Sequence, residues 1–262
     1  DGAGFITMTD DGATLESRID SNLGTVSMSA AGDVTLGQVQ SDNTTANAIK
    51  IVSTAGRILD GGDSLGDDVI ANAAGTSGVT LEAATGIGNV LVAPAANQAI
   101  EMATPNIWAD TTTGDININN WSVVGQPVTV HSLTVGDGDT TNGVGNITFN
   151  QTGGADVYFV KVDTDSGYVL LTNVDPTIAN GVDSKVIKVG DVTATTTATI
   201  IADGSIINDG IVGTDIQSPV ATLTANYGTI GKWNMPVEVD VNGALYVYAG
   251  GMVNTSGGIT EG

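Results

Sequence analysis

Apolar and polar residues alternate with a period of two through most of the chain. Val26-Ser27-Met28-Ser29-Ala30, Val79-Thr80-Leu81-Glu82-Ala83, Ile116-Asn117-Ile118-Asn119, Val128-Thr129-Val130, Ile147-Thr148-Phe149-Asn150 and Val237-Glu238-Val239-Asp240-Val241 all follow it. Such alternation puts the apolar residues on one face of a strand and Thr, Asn, Ser or acid on the other. The abundance of Thr and Val agrees, because β-branched side chains fit a pleated surface. Helical periodicity is nearly absent. Turn formers separate the runs: Gly32-Asp33, Asp60-Gly61-Gly62-Asp63, Gly114-Asp115, Gly136-Asp137-Gly138-Asp139, Gly153-Gly154, Asp203-Gly204, Asn242-Gly243 and Gly250-Gly251. Gly and Asn tolerate the positive φ of tight corners. The pattern predicts about twenty short strands roughly 8–14 residues apart, a spacing open to a sandwich, a barrel or a solenoid.

Two levels of repetition narrow the choice. A cassette of Gly, a polar residue and alternating apolar positions recurs at Gly24-Thr25-Val26, Gly32-Asp33-Val34, Gly78-Val79, Gly114-Asp115-Ile116, Gly145-Asn146-Ile147 and Gly190-Asp191-Val192. A longer match pairs Gly56-Arg57-Ile58-Leu59-Asp60-Gly61-Gly62 with Gly204-Ser205-Ile206-Ile207-Asn208-Asp209-Gly210. It continues from Leu81–Gly88 to Leu223–Gly231, and from Ala99-Ile100-Glu101 to Pro236-Val237-Glu238. Matches that keep their order are a signature of repeat architecture. They predict one continuous unit over residues 1–262 with an internal duplication, approximately 24–120 and 170–251.

Composition then favours a thin, repetitive core. Among 262 residues there are 36 Gly, no Cys and 4% aromatic residues. Ala, Val, Ile and Leu must fill the interior, which suits coils that each contact only their neighbours. The expected fold is all-β: a right-handed parallel β-helix, or β-solenoid. At an assumed ~20–24 residues per coil and a spacing of about 4.8 Å, the chain makes about eleven to thirteen coils and a rod roughly 50–60 Å long. Tandem antiparallel β-sandwiches are the alternative, and they too would show a duplication. Sandwiches usually carry a buried Trp, whereas Trp108, Trp121 and Trp233 are scattered among polar neighbours.

The phrases Ser29-Ala30-Ala31-Gly32-Asp33-Val34-Thr35-Leu36-Gly37, Leu81-Glu82-Ala83-Ala84-Thr85-Gly86-Ile87-Gly88, Thr113-Gly114-Asp115-Ile116-Asn117-Ile118 and Val239-Asp240-Val241-Asn242-Gly243-Ala244-Leu245 resemble the repeats of very large bacterial surface proteins. These are the filamentous-haemagglutinin-type adhesins and related β-strand-repeat exoproteins. The resemblance is one of repeat grammar and is clearest over 24–120 and 200–251. It implies a right-handed parallel β-helix, secretion to the cell surface, and an adhesive or scaffolding role.

The residues offer little catalytic chemistry. With no Cys there is no thiol nucleophile, disulfide or thiolate metal site. The single His, His131, lies within Val128-Thr129-Val130-His131-Ser132-Leu133 without a matching nucleophile motif and reads as a strand residue. Paired carboxylates are the enzymatic alternative, since glycoside hydrolysis needs two at a defined separation. Asp67/Asp68 and Asp163/Asp165 are the candidate pairs. Calcium is the candidate ligand: Asp163-Thr164-Asp165-Ser166-Gly167 alternates acids before a Gly, and Asp137-Gly138-Asp139 and Asp60-Gly61-Gly62-Asp63 are looser versions. Ca²⁺ prefers several oxygen ligands, usually including carboxylates. The candidate metal ligands are therefore Asp163, Asp165, Asp137 and Asp139, with no other cofactor expected. Tyr246-Val247-Tyr248 places two rings on one strand face.

Seven Lys and Arg against 29 Asp and Glu give a net charge of −22. That charge opposes nucleic acid and anionic membrane surfaces, which recruit Lys and Arg. No apolar run is long enough to span a bilayer as a helix. The chain opens Asp1-Gly2-Ala3-Gly4 without Met, so it is expected to be processed or an excerpt of something longer. The resulting expectation is a structural or adhesive, non-enzymatic extracellular protein: a β-solenoid segment or subunit of a cell-surface fibre. Its partners would be itself, end to end or laterally, or a cell-surface glycan or protein. A β-helical polysaccharide-binding or polysaccharide-cleaving protein is the alternative.

Overall fold

The computed structural model describes residues 5–10, 19–61, 66–71, 75–88, 99–122, 125–136, 143–174, 185–251 and 255–256. Its strands are β1 (Phe5–Asp10), β2 (Ile19–Asp20), β3 (Thr25–Ala30), β4 (Val34–Leu36), β5 (Val39–Gln40), β6 (Ile49–Ser53), β7 (Ile58–Asp60) and β8 (Val69–Ile70). There follow β9 (Gly78–Ala83), β10 (Ile100–Ala103), β11 (Asn106–Thr111), β12 (Ile116–Trp121), β13 (Val128–Val135), β14 (Ile147–Thr152), β15 (Val157–Thr164) and β16 (Val169–Asn173). The last are β17 (Ile187–Thr193), β18 (Thr197–Ala202), β19 (Ile206–Asn208), β20 (Ile216–Gln217), β21 (Val220–Ala225), β22 (Val237–Asp240), β23 (Ala244–Ala249) and β24 (Thr255–Ser256).

These strands wind into a parallel β-helix. One sheet stacks β1-β3-β6-β9-β11-β13-β15-β17-β20-β22-β24, with β19 also on β17. The facing sheet stacks β2-β5-β8-β10-β12-β14-β16-β18-β21-β23. Strands consecutive in sequence mostly lie on opposite sheets, and each pairs in parallel with a strand one coil away. Parallel pairing throughout the named strands rules out the antiparallel sandwich alternative, because a sandwich of hairpins would pair antiparallel neighbours. Among the described residues, no helix is long and apolar enough to cross a membrane.

The alternation becomes ladders of like residues. On the first sheet Met28, Ile51, Leu81, Ala109, Leu133, Val162, Val192, Ile216 and Val239 align inward, coil after coil. On the second, Ile100, Ile118, Phe149, Leu171, Ile200, Leu223 and Val247 do the same. A corner ladder joins Ile58, Ile87 and Ile116. Almost all of these side chains are fully buried in one cluster running from Val26 to Val241. Each contributes roughly 1.5–3 kcal/mol by leaving water. The largest, Phe149 and Phe159, meet edge to face across the interior at 5.3 Å.

One inward ladder is polar. Asn120 and Gln151 align between Met102 and Asn173, and the Asn120, Gln151 and Asn173 side chains are all buried. Asn120 Nδ2 donates to Gln151 Oε1 at 2.9 Å and to the Thr104 carbonyl, while its Oδ1 accepts from the Thr104 amide. Asn173 Nδ2 donates to the Ala155 and Val186 carbonyls. Such bonds offset the burial of the Asn120 and Gln151 amides, whereas Asn173 Oδ1 is buried without a partner.

The coil is longer and less regular than expected. Ile100 pairs with Ile118 but Val69 with Met102, so one turn takes between 18 and 33 residues. The difference lies in the number of residues between strands, as from β9 to β10 and from β16 to β17. A second irregularity is a β-bulge at His131. Ile107 pairs with Val130 but Trp108 with Ser132. Two successive residues then point away from the core at His131-Ser132, Val160-Lys161 and Gly190-Asp191 in three stacked strands. One coil further the bulge opens into a loop between β19 and β20, both of which pair with β17. The blocks matched in the duplication occupy opposite sheets: Leu81 lies on the first and Leu223 on the second. They share a corner feature, since Ile58 bridges Ile87 and Ile206 bridges Ile230.

Candidate functional site

Among the described residues, the acids named from the sequence fall at two places, around the end of β15 and just before β8. Asp163 lies near the end of β15, facing outward, with its Oδ2 3.8 Å from Lys161 Nζ. Burial pushes its carboxyl up, Lys161 opposes this, and Asp165 and Asp191 reinforce it. Asp165, just past the strand, is buried, and its Oδ2 lacks a hydrogen-bond partner. It packs against Gly136, where any Cβ would collide with its carboxylate. No third acid among the described residues joins these two in a metal-sized cluster. Asp137 and Asp139 lie outside the described residues.

Asp67 and Asp68 sit in different surroundings. The Asp67 carboxyl is raised by burial alone. Asp68 instead meets Asp60 and Glu101, and one carboxylate oxygen from each lies within 4.8 Å of the others. The topology explains the meeting. Asp60 ends β7, Asp68 immediately precedes β8, and Glu101 sits on β10 one coil further on, where Met102 pairs with Val69. Inward-facing Ile100 and Met102 flank Glu101, so it points away from the core.

Asp68 is 1% exposed. Its Oδ2 accepts from the Glu101 amide at 3.0 Å, which fixes the carboxylate plane. Asp68 Oδ1 and both Glu101 carboxylate oxygens are buried without a hydrogen-bond partner. Burial is the main force on Asp68, and the charges of Asp60 and Glu101 add to it, raising its carboxyl to about 9. Glu101 is also raised, by burial and then by Asp60, while the nearby Asp68 and Asn119 side chains pull the other way. At neutral pH the isolated protein therefore keeps a proton in this cluster.

The outward face of the first sheet carries the other chemistry. The Trp108 and His131 rings stack with centroids 4.1 Å apart and planes within 2°. His131 Nε2 lies 3.1 Å from Asn106 Oδ1, and burial pushes the imidazole down. The ring is thus held as a strand side chain, brought level with Trp108 by the bulge. Asp110, on the same face as Trp108, accepts from the Ser132 and Thr134 hydroxyls. Further along, Tyr158 donates to Asp209 Oδ2 at 3.0 Å and lies under Lys188 Nζ. Tyr158, Asp191, Asp209 and Asp215 line an open groove beside the 209–215 loop. Asp215 is buried, and its Oδ2 accepts from the Glu238 amide and from Asn208 Nδ2. Burial, followed by Asp209 and Glu238, raises it to about 7. Tyr246 and Tyr248 project together from β23, each more than half exposed, and Trp233 is 86% exposed.

No family model matches the chain, and neither the curated proteins nor the solved structures compared with it yield a match.

Proposed function

We propose that the chain is a structural and adhesive segment, or subunit, of an extracellular cell-surface fibre. The observation that carries this reading is the partly covered inner face of β23, the last strand of the second sheet among the described residues. In β21 the inward residues Ala221, Leu223 and Ala225 are fully buried, whereas their partners on β23, Leu245, Val247 and Ala249, are only partly covered. An apolar strand edge at the end of a stack accepts a further coil, supplied by more solenoid in the same chain or by another copy. The −22 charge suits a rod in a salty medium, where repulsion between neighbouring copies is screened within about 10 Å. On this reading the work is done by length, stiffness and surface, with no turnover.

Electron microscopy of the purified chain tests it. Filaments with an axial repeat of about 50 Å, the rise of roughly ten strand spacings, support a self-stacking subunit. Single rods support a spacer or adhesive segment. Cleavage of any polysaccharide in a broad panel overturns both. The alternative, a polysaccharide-binding or polysaccharide-cleaving β-helix, draws on the stacked Trp108–His131 pair beside Asp110. Loss of glycan retention on Trp108→Ala, with the fold intact, would favour it.

A further inference from the structure

We infer that Asp60, Asp68 and Glu101 form a binding site for a hard divalent cation, Ca²⁺ in the first place, which ties two successive coils together. The inference stands apart from the fibre reading. Three carboxylates converge, each offering an oxygen within 4.8 Å of the other two. Calcium–oxygen distances of about 2.3–2.6 Å let one ion span such a set, and three carboxylates suit Ca²⁺ better than Mg²⁺, which retains most of its water.

Clustered acids alone would not make a site; the orphaned oxygen of Asp68 does. Asp68 is almost wholly buried, at 1% exposure. The Glu101 amide holds its Oδ2, so its Oδ1 has a set direction and no donor. A buried carboxylate oxygen in that state is costly. The charges that act on it are those of Asp60 and Glu101, both negative. A shared proton can join one Asp68 oxygen to one Glu101 oxygen. It cannot serve all three orphaned atoms, Asp68 Oδ1, Glu101 Oε1 and Glu101 Oε2, nor relieve the repulsion from Asp60. A single divalent ion does both. It also bridges residues that the chain separates by a whole coil, since Asp68 and Glu101 are linked across 33 positions.

The test is calorimetric titration of the full chain, freed of metal by chelation, with CaCl₂ and then MgCl₂ in about 0.15 M KCl. That ionic strength suppresses diffuse binding to exposed acids. The expected result is one saturable Ca²⁺ site with weaker Mg²⁺ binding, and a Ca²⁺-dependent rise in Tm. Asp68→Asn should weaken Ca²⁺ binding at least tenfold, and Asp163→Asn should leave it unchanged. If Asp68→Asn does not fold, Glu101→Gln removes the ligand from the neighbouring coil instead and should show the same loss. Absence of saturable binding up to about 1 mM Ca²⁺, the weak end for extracellular sites, overturns the inference. So does a site whose affinity survives the substitutions.

Discussion

Replacing Asp215 by Asn should abolish a specific part of the pH dependence of stability. The Asp215 carboxyl is buried between the 209–215 loop and β22, 2% exposed, and is held by the Glu238 amide at 2.6 Å and by Asn208 Nδ2 at 3.0 Å. Burial and the charges of Asp209 and Glu238 raise it to about 7, from an ordinary value of 3.8. Between those two pH values the folded chain keeps a proton that the unfolded chain has released. Stability from this group is therefore complete below about pH 4, falls as the pH rises to 7, and stays lost above that. The span of about three units corresponds to at most about 4 kcal/mol at 1.36 kcal/mol per unit. Asn at this position keeps an oxygen for both donors and never ionises. At pH 8 the Asp215→Asn chain should exceed the parent in stability by up to about 4 kcal/mol, or around 10 °C in Tm for a chain of this size. At pH 4 the two should agree within about 1 kcal/mol. Thermal melts of both chains at several pH values, at one scan rate, decide the matter. The variant-minus-parent difference cancels other titrating acids, Asp68 among them. A difference that stays constant from pH 4 to 8, or shrinks with rising pH, refutes the reasoning.

Two further substitutions probe the coil itself. Gly114 and Gly125 both have positive φ, at 81° and 86°, but a Cβ at Gly114 would run into the Thr85 carbonyl of the neighbouring coil, and one at Gly125 meets nothing within 4 Å. Gly125→Ala should cost only the backbone strain of about 1–2 kcal/mol, whereas Gly114→Ala should cost several kcal/mol more, read as the difference in Tm between the two variants. Phe159→Ala removes a fully buried ring from the ladder between Val130 and Val189 and from its contact with Phe149; urea unfolding should show a loss of about 3–5 kcal/mol.

The strands were legible because the solenoid uses local alternation almost unchanged. Val26, Met28 and Ala30 face inward as their spacing requires, and so do Val79, Leu81 and Ala83. The alternation fails where the structure departs from a flat ladder. Val130-His131-Ser132-Leu133 breaks the period by one residue, which marks the bulge, and Val160-Lys161 and Gly190-Asp191 repeat the break one and two coils later. A bulge that propagates across stacked strands keeps Leu133, Val162 and Val192 in one inward column. An inserted outward residue therefore costs the core nothing, and composition gives no hint of it. Coil length was less legible for the same reason. A link between strands leaves the columns on either side of it intact, and the number of residues it contains has no counterpart in the core.

The acid cluster shows where one-dimensional reading stops. Asp68 stood out in the sequence, but its neighbour Asp67 was the natural partner to choose. In an extended chain adjacent side chains point to opposite sides, so that pairing is the least available one. The partners that do meet Asp68 are set by coil geometry: Asp60 from the end of β7, and Glu101 through the parallel register that aligns Val69 with Met102. Neither relation has a fixed spacing, because each depends on how many residues lie between the strands. A feature of the sequence could have pointed there. Glu101 is an outward-facing acid between the core residues Ile100 and Met102, and Asp68 immediately precedes inward-facing Val69. Once the two runs are recognised as neighbouring rungs of one sheet, their acids must stack on the same outer face, one strand spacing apart. In a β-solenoid, a site is thus read down the column of stacked rungs, from residues a coil apart, and the rung register has to be known before the chemistry can be.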